Sequence, residues 1–239
     1  MTPMLALYYL YFFLIAIPIL FSLTVLTCLT VIIGTAIGNG SFWGYYPAMI
    51  WARAFCLLSL VRVTVRGREN IDKRTSYVFV ANHQGAYDIF SIYGYLGHNF
   101  KWMMKKSLRK LLLVGYTCEK CGHIFVDRSS PAAIRRTIET AEERLRDGMS
   151  LVVFPEGART FTGKLGPFKK GAYQLALEFH LPLVPVTIDG SFKVMPRTRY
   201  LPRPGHITLT IHKPIAPPDN EADRTNVIDL TRQAIESSL

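Results

Sequence analysis

Charged residues are missing from the first 52 positions of this 239-residue chain, and Arg53 is the first of them. All 28 basic and 17 acidic side chains therefore lie in residues 53–239, together with the whole net charge of +11. A cleaved signal peptide would open with basic residues and end in a small-residue cleavage site, and neither feature is present. We interpret residues 1–60 as a membrane-anchoring helical segment and residues 61–239 as one basic globular domain.

Cysteine is also scarce, with four residues in the whole chain. Cys28 and Cys56 lie in apolar sequence, where a free thiol behaves as a small hydrophobic side chain. Cys118 and Cys121 form a single C-x-x-C pair, followed by His123. A structural zinc site normally takes four ligands from two such pairs, and a redox dithiol needs a thioredoxin-like context. We predict no disulfide framework and no metal, and we interpret the pair as two thiols where the chain approaches a strand.

Two further signatures are absent. No G-x-S-x-G sequence supplies an activated serine, and no run of basic residues with interleaved aromatic residues indicates nucleic-acid binding. The net charge of +11 still requires anionic partners or surfaces. Beside an apolar anchor we expect these to be the lipid bilayer and phosphate-bearing substrates, because basic residues near anionic lipid gain about 1 kcal/mol each. We predict no nucleic-acid partner.

The N-terminal region does contain a nearly uninterrupted apolar run, Leu5–Ile37. As one helix it would be about 50 Å long at ~1.5 Å per residue, whereas the hydrocarbon core of a bilayer is ~30 Å thick. Pro18 favours a kink or a break in its middle. Two arrangements stay open: a tilted transmembrane helix with an interfacial extension, or two shorter helices that enter and leave one leaflet. Downstream, Gly38–Tyr46 has the aromatic composition of a membrane interface, and Ala48–Val61 predicts an amphipathic helix along the surface.

Strand and helix patterns alternate in the rest of the chain. Continuous or alternating apolar runs predict strands, and helical periodicity with end signals such as Ser130 and Gly148 predicts helices. This alternation predicts an α/β fold with a largely parallel central sheet flanked by helices, preceded by the N-terminal membrane-associated helical segment. The predicted strands are Val61–Arg66, Tyr77–Ala81, Leu151–Phe154, Leu183–Ile188 and Ile207–Ile211, and the predicted helices are Pro131–Asp147, Gly171–Phe179 and Asn226–Ser237.

A histidine and an aspartate follow the predicted strand Tyr77–Ala81, and function in open α/β sheets gathers at such carboxyl ends. His83 and Asp88 can meet if the histidine lies in the strand-to-helix turn and the aspartate in the first helical turn. The carboxylate would then fix the imidazole tautomer and leave the other nitrogen free to accept a proton. Since no nucleophile is evident, the hydroxyl to be activated would belong to the substrate. The alternative is an N-capping aspartate and a hydrogen-bonded loop histidine.

The segment Phe154–Arg159 follows a second buried strand. Gly157 permits close backbone approach or a positive φ. Arg159 carries a planar guanidinium suited to bidentate phosphate binding. Glu156 would either accept a hydrogen bond from a substrate hydroxyl or hold Arg159 in position. The alternative is a surface turn with an incidental ion pair.

Several other basic residues are candidates for binding anions. Arg128 ends a short strand predicted within Gly122–Arg128 and is a second candidate phosphate ligand, or a solvated strand end. Lys170 precedes a helix and either faces an anionic group or is a solvated helix start. A basic cluster would contact lipid headgroups, contact coenzyme phosphates or form a solvated face. Its members are Lys101, Lys105, Lys106, Arg109 and Lys110.

In their order and spacing, four segments resemble the sequence blocks of the glycerolipid acyltransferase family, specifically its PlsC-type lysophosphatidic acid acyltransferases. The resemblance covers about residues 60–215. Alanine at position 158, where threonine is usual, leaves Glu156 and Arg159 in place and bears on packing or headgroup preference. The matches are N-H-x4-D at Asn82, His83 and Asp88, G-x-I-F-V-D-R at Gly122–Arg128, F-P-E-G-T-R at Phe154–Arg159 and V-P-V-x-I at Val184–Ile188.

The resemblance implies a membrane-bound enzyme that transfers an acyl group from acyl-CoA or acyl carrier protein to the sn-2 hydroxyl of 1-acyl-glycerol-3-phosphate, giving phosphatidic acid. His83, oriented by Asp88, would be the general base, without an acyl-enzyme or a cofactor. It does not identify an oxyanion donor. The implied binding residues are Arg128 and Arg159 for the phosphate, Glu156 and Gly157 for the glycerol, and Asn82 and Lys170 in supporting positions.

Three other functions stay open. The same fold and histidine-aspartate pair would serve another acceptor, such as glycerol-3-phosphate, another lysophospholipid or an aminolipid. A noncatalytic basic membrane-binding protein would explain the anchor and the charge, but not the polar residues at the strand ends. A hydrolase would need a nucleophile that the sequence does not show. The compact chain favours a bacterial-type enzyme at the cytoplasmic face of the inner membrane.

Overall fold

A computed structural model describes residues 3–127, 129–146 and 148–239. Within these residues seven strands form one sheet with long helices around it. The strands are β1 (Val61–Arg66), β2 (Val78–Ala81), β3 (Phe100–Lys105), β4 (Ile124–Val126), β5 (Ser150–Val153), β6 (Leu183–Asp189) and β7 (Gly205–Ile211). The helices are α1 (Pro3–Ile37), α2 (Tyr46–Leu58), α3 (Tyr87–Tyr95), α4 (Leu112–Lys120), α5 (Pro131–Arg146), α6 (Gly171–Phe179) and α7 (Arg224–Glu236).

The strand order is β1-β7-β6-β2-β5-β3-β4. The strands from β6 to β4 run parallel, β7 is antiparallel to β6, and β1 is parallel to β7. The predicted α/β fold with a largely parallel sheet is confirmed. Because β1 and β7 run opposite to the others, their amino ends share an edge of the sheet with the carboxyl ends of β2, β5 and β6. We call this edge the upper edge.

Most predicted elements lie where the sequence pattern puts them. The bounds of β1 and α6 match, and those of β2, β5, β6, β7 and α7 differ by one or two residues. Helix α5 begins after Ser130, whose Oγ accepts the amide of Ala133 at 3.1 Å; Asp147, its predicted last residue, lies outside the described residues. Strand β3 was not predicted, because Lys101 and Lys105 interrupt its apolar pattern.

The N-terminal anchor is one unbroken helix of 35 residues, about 50 Å long. A π-helical turn, Phe12–Ala16, comes just before Pro18. This wider turn accommodates the proline ring and its missing amide, so the helix continues through Pro18. The arrangement of two shorter helices divided at Pro18 is therefore wrong. Within the described residues α1 is the helix long and apolar enough to cross a membrane.

Helix α1 lies lengthwise against the domain. Its buried stripe includes Tyr8 and Leu20 and packs against Phe55 of α2. Further along, the indole of Trp51 in α2 donates to Thr24 at 2.9 Å. The opposite face of α1 is exposed and apolar. Helix α2 packs against α1 and α3. The helix predicted at Ala48–Val61 is present but ends three residues earlier, at Leu58, and its position along a membrane surface stays a prediction.

The C-x-x-C pair differs from the expectation in one respect. Cys118 lies in α4 rather than in an approach to a strand, and Cys121 ends that helix three residues before β4. Burial raises the pKa of Cys118 to about 11 and that of Cys121 to about 12. Both thiols are therefore protonated at neutral pH and pack as small apolar side chains.

Candidate active site

His83 lies in the turn between the fully buried strand β2 and helix α3. Helix α3 begins at Tyr87, so Asp88 occupies its first turn, as predicted. Nδ1 of His83 lies 2.7 Å from Oδ2 of Asp88. The aspartate side chain is completely buried, whereas that of the histidine is 14% exposed. The structure thus brings the two together at the upper edge, with Nε2 as the imidazole nitrogen that Asp88 does not engage.

The carboxylate of Asp88 also shapes the turn that carries the histidine. Its Oδ2 accepts the backbone amides of Gln84 at 2.7 Å and Gly85 at 2.9 Å. The N-cap position of α3 is Ala86 and carries no side-chain cap, so the alternative of an N-capping aspartate is wrong. Asp88 lies inside the first helical turn, where its carboxylate orients the imidazole and accepts the amides of the preceding turn.

An aromatic ring fixes the face of the imidazole. Phe154, directly after β5, stacks on His83 with ring centroids 3.9 Å apart and an interplanar angle of 8°. Trp102 of β3 stacks behind Phe154 at 5.4 Å. Phe154 had no predicted role of its own, because its contact with His83 depends on β2 and β5 being neighbours in the sheet. With Asp88 at its edge and Phe154 on its face, the imidazole is held in one orientation.

Glu156 joins the block after β5 to the turn after β2. Its Oε1 accepts the backbone amide of His83, and its Oε2 accepts that of Gly166, both at 2.8 Å. Burial raises the pKa of this carboxyl group. A second hydrogen bond joins the same two segments, since the amide of Thr160 donates to the carbonyl of His83 at 3.0 Å. The observed contacts make Glu156 a positioning residue for His83, and its contact with a substrate hydroxyl or with Arg159 stays a prediction.

Asn82 connects the same turn to the end of β6. Its Nδ2 donates to the carbonyl of Ile188 at 2.9 Å, and its Oδ1 accepts the amide of Ile188 at 2.7 Å. Both residues are completely buried. The supporting position predicted for Asn82 is thus a crosslink between β2 and β6, and the block Val184–Ile188 forms the strand to which it attaches.

The remaining predicted binding residues lie around this centre. Gly157 has a φ of +76°, and a Cβ atom there would come within 2.5 Å of Nζ of Lys169. Arg159 is partly exposed, and its carbonyl accepts a hydrogen bond from Arg197 at 3.4 Å. Lys170 is exposed at the start of α6. Arg128 lies outside the described residues.

The basic cluster predicted between positions 101 and 110 is not one face. Lys101 is buried in β3, and burial lowers its pKa. Lys106 pairs with Asp127 and Arg109 with Glu119, each at 2.5 Å. Lys101 is therefore an interior side chain, because both faces of β3 are covered at its start, where Phe100 and Trp102 are buried as well.

His123, beside the second block, is buried and has a structural role. Its Nδ1 accepts the amide of Trp102 at 3.3 Å, and the hydroxyl of Tyr93 lies 3.3 Å from its Nε2. Burial lowers its pKa to about 3, since the charged imidazolium is disfavoured away from water. A neutral imidazole with both nitrogens engaged is not a second base.

The site therefore consists of an oriented and partly exposed imidazole at the edge of a parallel sheet, with arginine-bearing sequence beside it. The model of the Acyltransferase family matches residues 62–189, a span that includes all four sequence blocks. This chain belongs to the Acyltransferase family. The resemblance stated from its sequence blocks is confirmed.

Curated relatives within the Acyltransferase family share about a third of its residues. A 1-acyl-sn-glycerol-3-phosphate acyltransferase from Chlamydomonas reinhardtii is 34% identical over 194 residues, which are 80% of this chain and 56% of the relative. A chloroplastic enzyme of the same name from Arabidopsis thaliana is 31% identical over 173 residues, 72% of this chain and 48% of the relative. An enzyme of that name from Saccharomyces cerevisiae is 33% identical over 189 residues, which are 77% of this chain and 62% of the relative. The chain thus spans about half of the length of the curated relatives it matches.

A solved structure matches nearly the whole chain. The crystal structure of the 1-acyl-sn-glycerophosphate (LPA) acyltransferase PlsC from Thermotoga maritima superimposes with a TM-score of 0.76 at 28% sequence identity. The match covers 97% of this chain and 95% of that one. The acyltransferase fold of the family, including the N-terminal helix, is therefore present here.

Proposed function

We propose that this chain transfers an acyl group from acyl-CoA or acyl carrier protein to the sn-2 hydroxyl of 1-acyl-glycerol-3-phosphate, giving phosphatidic acid. The observation that carries the proposal is the buried carboxylate of Asp88, 2.7 Å from Nδ1 of the partly exposed His83. The names of the relatives from Chlamydomonas, Arabidopsis, yeast and Thermotoga support this choice of acceptor.

In the proposed reaction Nε2 of His83 takes the proton of the sn-2 hydroxyl as that oxygen attacks the thioester carbonyl. The tetrahedral intermediate collapses with cleavage of the carbon–sulfur bond, and the proton on His83 passes to the departing thiolate. Asp88 stabilises the imidazolium and holds its tautomer throughout. General-base assistance of this kind contributes about 10²–10⁴ in rate. No acyl-enzyme is formed, because the nucleophile belongs to the acceptor.

We assign Arg159 to bind the acceptor's phosphate. Arg128 is the second phosphate ligand, on the basis of the sequence block Gly122–Arg128. Their planar guanidinium groups suit bidentate phosphate binding. The loop that carries Arg159 is attached to the base, because Glu156 and Thr160 both bond the backbone of His83. Gly157 and Glu156 would hold the glycerol end, and the acceptor's acyl chain would extend toward α1.

The apolar helix α1 supports attachment to a lipid bilayer. We assign the enzyme to the cytoplasmic face of a bacterial inner membrane, where acyl-CoA and acyl carrier protein are available. The match to the Thermotoga enzyme supports a bacterial setting. A chloroplastic relative and a relative from yeast carry the same enzyme name.

The test is acceptor-dependent thiol release from palmitoyl-CoA by the detergent-purified chain, with the lipid product identified by mass spectrometry. We expect phosphatidic acid from lysophosphatidic acid, and a loss of about 10²–10⁴ in kcat in His83→Ala. His180→Asn changes an exposed histidine at the left-handed end of α6 to a residue that tolerates this conformation, so it is the control and should retain full activity.

Two results would contradict the proposal in different ways. Full turnover by His83→Ala would exclude the assigned base. Product from glycerol-3-phosphate or from another lysolipid, with none from lysophosphatidic acid, would exclude the assigned acceptor. Acyl carrier protein is tested beside palmitoyl-CoA, so that donor choice is not confused with inactivity.

A further inference from the structure

An open groove runs beside the anchor helix at the upper edge, outside the four sequence blocks. It has a volume of about 850 Å³, within the range of about 300–1,000 Å³ found for ligand clefts. Its walls are apolar apart from two tyrosine hydroxyls and a single cation, Arg203. The lining residues are Met4, Leu5, Leu7, Tyr8, Tyr11, Leu60, Arg203 and Pro204.

One wall of this groove is built with backbone strain. Leu60 has a φ of +56°, in the left-handed region that a leucine rarely adopts. Its side chain is nevertheless 53% exposed, so packing in the core does not explain the conformation. The end of α2 explains it, because Leu60 follows the C-cap Ser59 and its amide donates to the carbonyl of Leu57 at 3.0 Å, as in other left-handed helix ends. The conformation places an apolar side chain in the groove where a glycine would be the unstrained choice.

The other wall contains Arg203, the one cation among the lining residues. Arg203 is exposed, and its backbone amide donates to the carbonyl of Val194 at 2.9 Å. The segment from Gly190 to Pro218 contains no aspartate or glutamate, and it includes Lys193, Arg197 and Arg199 besides Arg203. Along the chain, the acidic residues nearest to Arg203 are Asp189 and Asp219, and neither lines the groove. An anionic group is the complement that this end of the groove lacks.

The groove is also continuous with the surface that faces lipid. Met4 and Leu7 belong to the exposed apolar face of α1, at 82% and 67% exposure. Leu201, two residues before Arg203, packs on the buried stripe of α1. An occupant therefore has an apolar part against α1 and an anionic part at Arg203. A bilayer supplies such amphiphiles at high local concentration.

We propose that this groove binds one anionic glycerophospholipid of the bilayer. One acyl chain lies along Leu7, Tyr8 and Leu60, and the phosphate is bound by Arg203. The site is separate from the acceptor site, because none of its lining residues belongs to the four sequence blocks. The binding does not depend on acyl transfer, so it persists in a protein that turns over nothing.

The experiment is native mass spectrometry of the full chain, purified in detergent and incubated with phosphatidylglycerol or phosphatidylcholine of the same acyl composition. We expect one phosphatidylglycerol per chain, retained about tenfold more strongly than phosphatidylcholine. Arg203→Ala should lower retention of phosphatidylglycerol to the level of phosphatidylcholine. Leu7→Trp, which fills the groove, should lower retention of both lipids.

Matched variants separate the groove from general lipid binding. Leu10→Trp changes an exposed leucine of the same helix that does not line the groove, and Arg136→Ala removes an exposed cation from α5. Both should bind as the wild type does, and so should His83→Ala. Equal retention of phosphatidylglycerol by Arg203→Ala, equal losses in Leu7→Trp and Leu10→Trp, or displacement of the phospholipid by one palmitate per chain would each overturn the proposal.

Discussion

At the scale of single residues, Asp88 carries the largest number of contacts in the site. One oxygen of its buried carboxylate accepts three hydrogen bonds, from the imidazole of His83 and from the amides of Gln84 and Gly85. The same atom therefore holds the Nδ1 side of the His83 imidazole and the turn that carries it. Under the proposed function, a change at Asp88 alters the base without contact with the acceptor.

Asp88→Asn should lower kcat by about 10²–10⁴, because the amide cannot reproduce an acceptor of three hydrogen bonds or stabilise the imidazolium. The KM for lysophosphatidic acid should change little, since the side chain is buried behind His83. Steady-state kinetics on the purified variant measure both quantities. Asp229→Asn, at an exposed position on α7, is the control. A variant that keeps half of the wild-type kcat would rule out this role for Asp88.

Phe154 is a positioning residue, and its effect should depend on an aromatic ring rather than on bulk. Phe154→Ala should lower kcat by roughly ten- to a hundredfold, because the face of the imidazole loses its contact at 3.9 Å. Phe154→Tyr should restore most of the activity, whereas Phe154→Leu should not. Thermal unfolding of all three variants is measured in parallel. If kcat follows the melting temperature in every variant, the role is structural only.

At the scale of elements, the turn after β2 is held from three sides. Asn82 attaches it to β6, Glu156 attaches it to the block after β5, and the amide of Ala86 donates to the carbonyl of Met195 at 3.0 Å. The segment that begins at Ser191 lies directly against Gly85. Gly85 lies between these elements, where there is no room for a side chain.

Gly85→Ala should lower the free energy of unfolding by about 1–3 kcal/mol, because the added Cβ would lie 2.3 Å from Oγ and 2.5 Å from the carbonyl oxygen of Ser191. Turnover should fall with it, since relief of the overlap displaces the turn that carries His83. Gly171→Ala is the control, because a Cβ there meets no atom within 4 Å. The measurements are thermal unfolding in detergent and kcat. Equal stability of the two variants would contradict the close packing of this turn.

Individual elements also show which features of the fold and the site can be predicted from the sequence. Uniformly apolar strands such as β2 and β6 were predicted, and so was the placement of His83 and Asp88 between β2 and α3, because local pattern decides both. Strand β3 was missed because its lysines hide the pattern, and Lys101 was misjudged as a surface residue for the same reason. The contacts of Phe154, and the attachment of Asn82 to Ile188, depend on strand order. A single sequence without an alignment does not contain that order.

At the scale of the whole molecule, the anchor helix is hydrogen-bonded to the domain. The hydroxyls of Tyr8 and Tyr11 donate to the carbonyls of Ser59 and Leu58, at 3.2 Å and 3.1 Å, where α2 ends and its last carbonyls lack helical partners. From the other side, the hydroxyl of Tyr87 donates to Oγ of Ser59 at 2.5 Å. Ser59 thus connects α1 to the helix that begins next to Asp88.

Replacing both Tyr8 and Tyr11 by phenylalanine should lower the free energy of unfolding by about 1–3 kcal/mol per hydroxyl, because two carbonyls lose their partners. Thermal unfolding in detergent measures the loss. Tyr9→Phe changes the neighbouring tyrosine, which packs against the same stripe, and serves as the control. A double variant as stable as Tyr9→Phe would show that packing alone attaches the helix.

The reversed direction of β1 and β7 also governs how an acceptor reaches the base. Because β1 begins at the upper edge, the chain leaves the anchor helices at Leu60 on the same side of the sheet as His83. Under the proposed function, a lysolipid in the bilayer would then reach His83 by diffusion in two dimensions. Its effective concentration is its mole fraction in the surface. Adding neutral detergent or phosphatidylcholine at a fixed total amount of acceptor should then slow the reaction in proportion to that fraction.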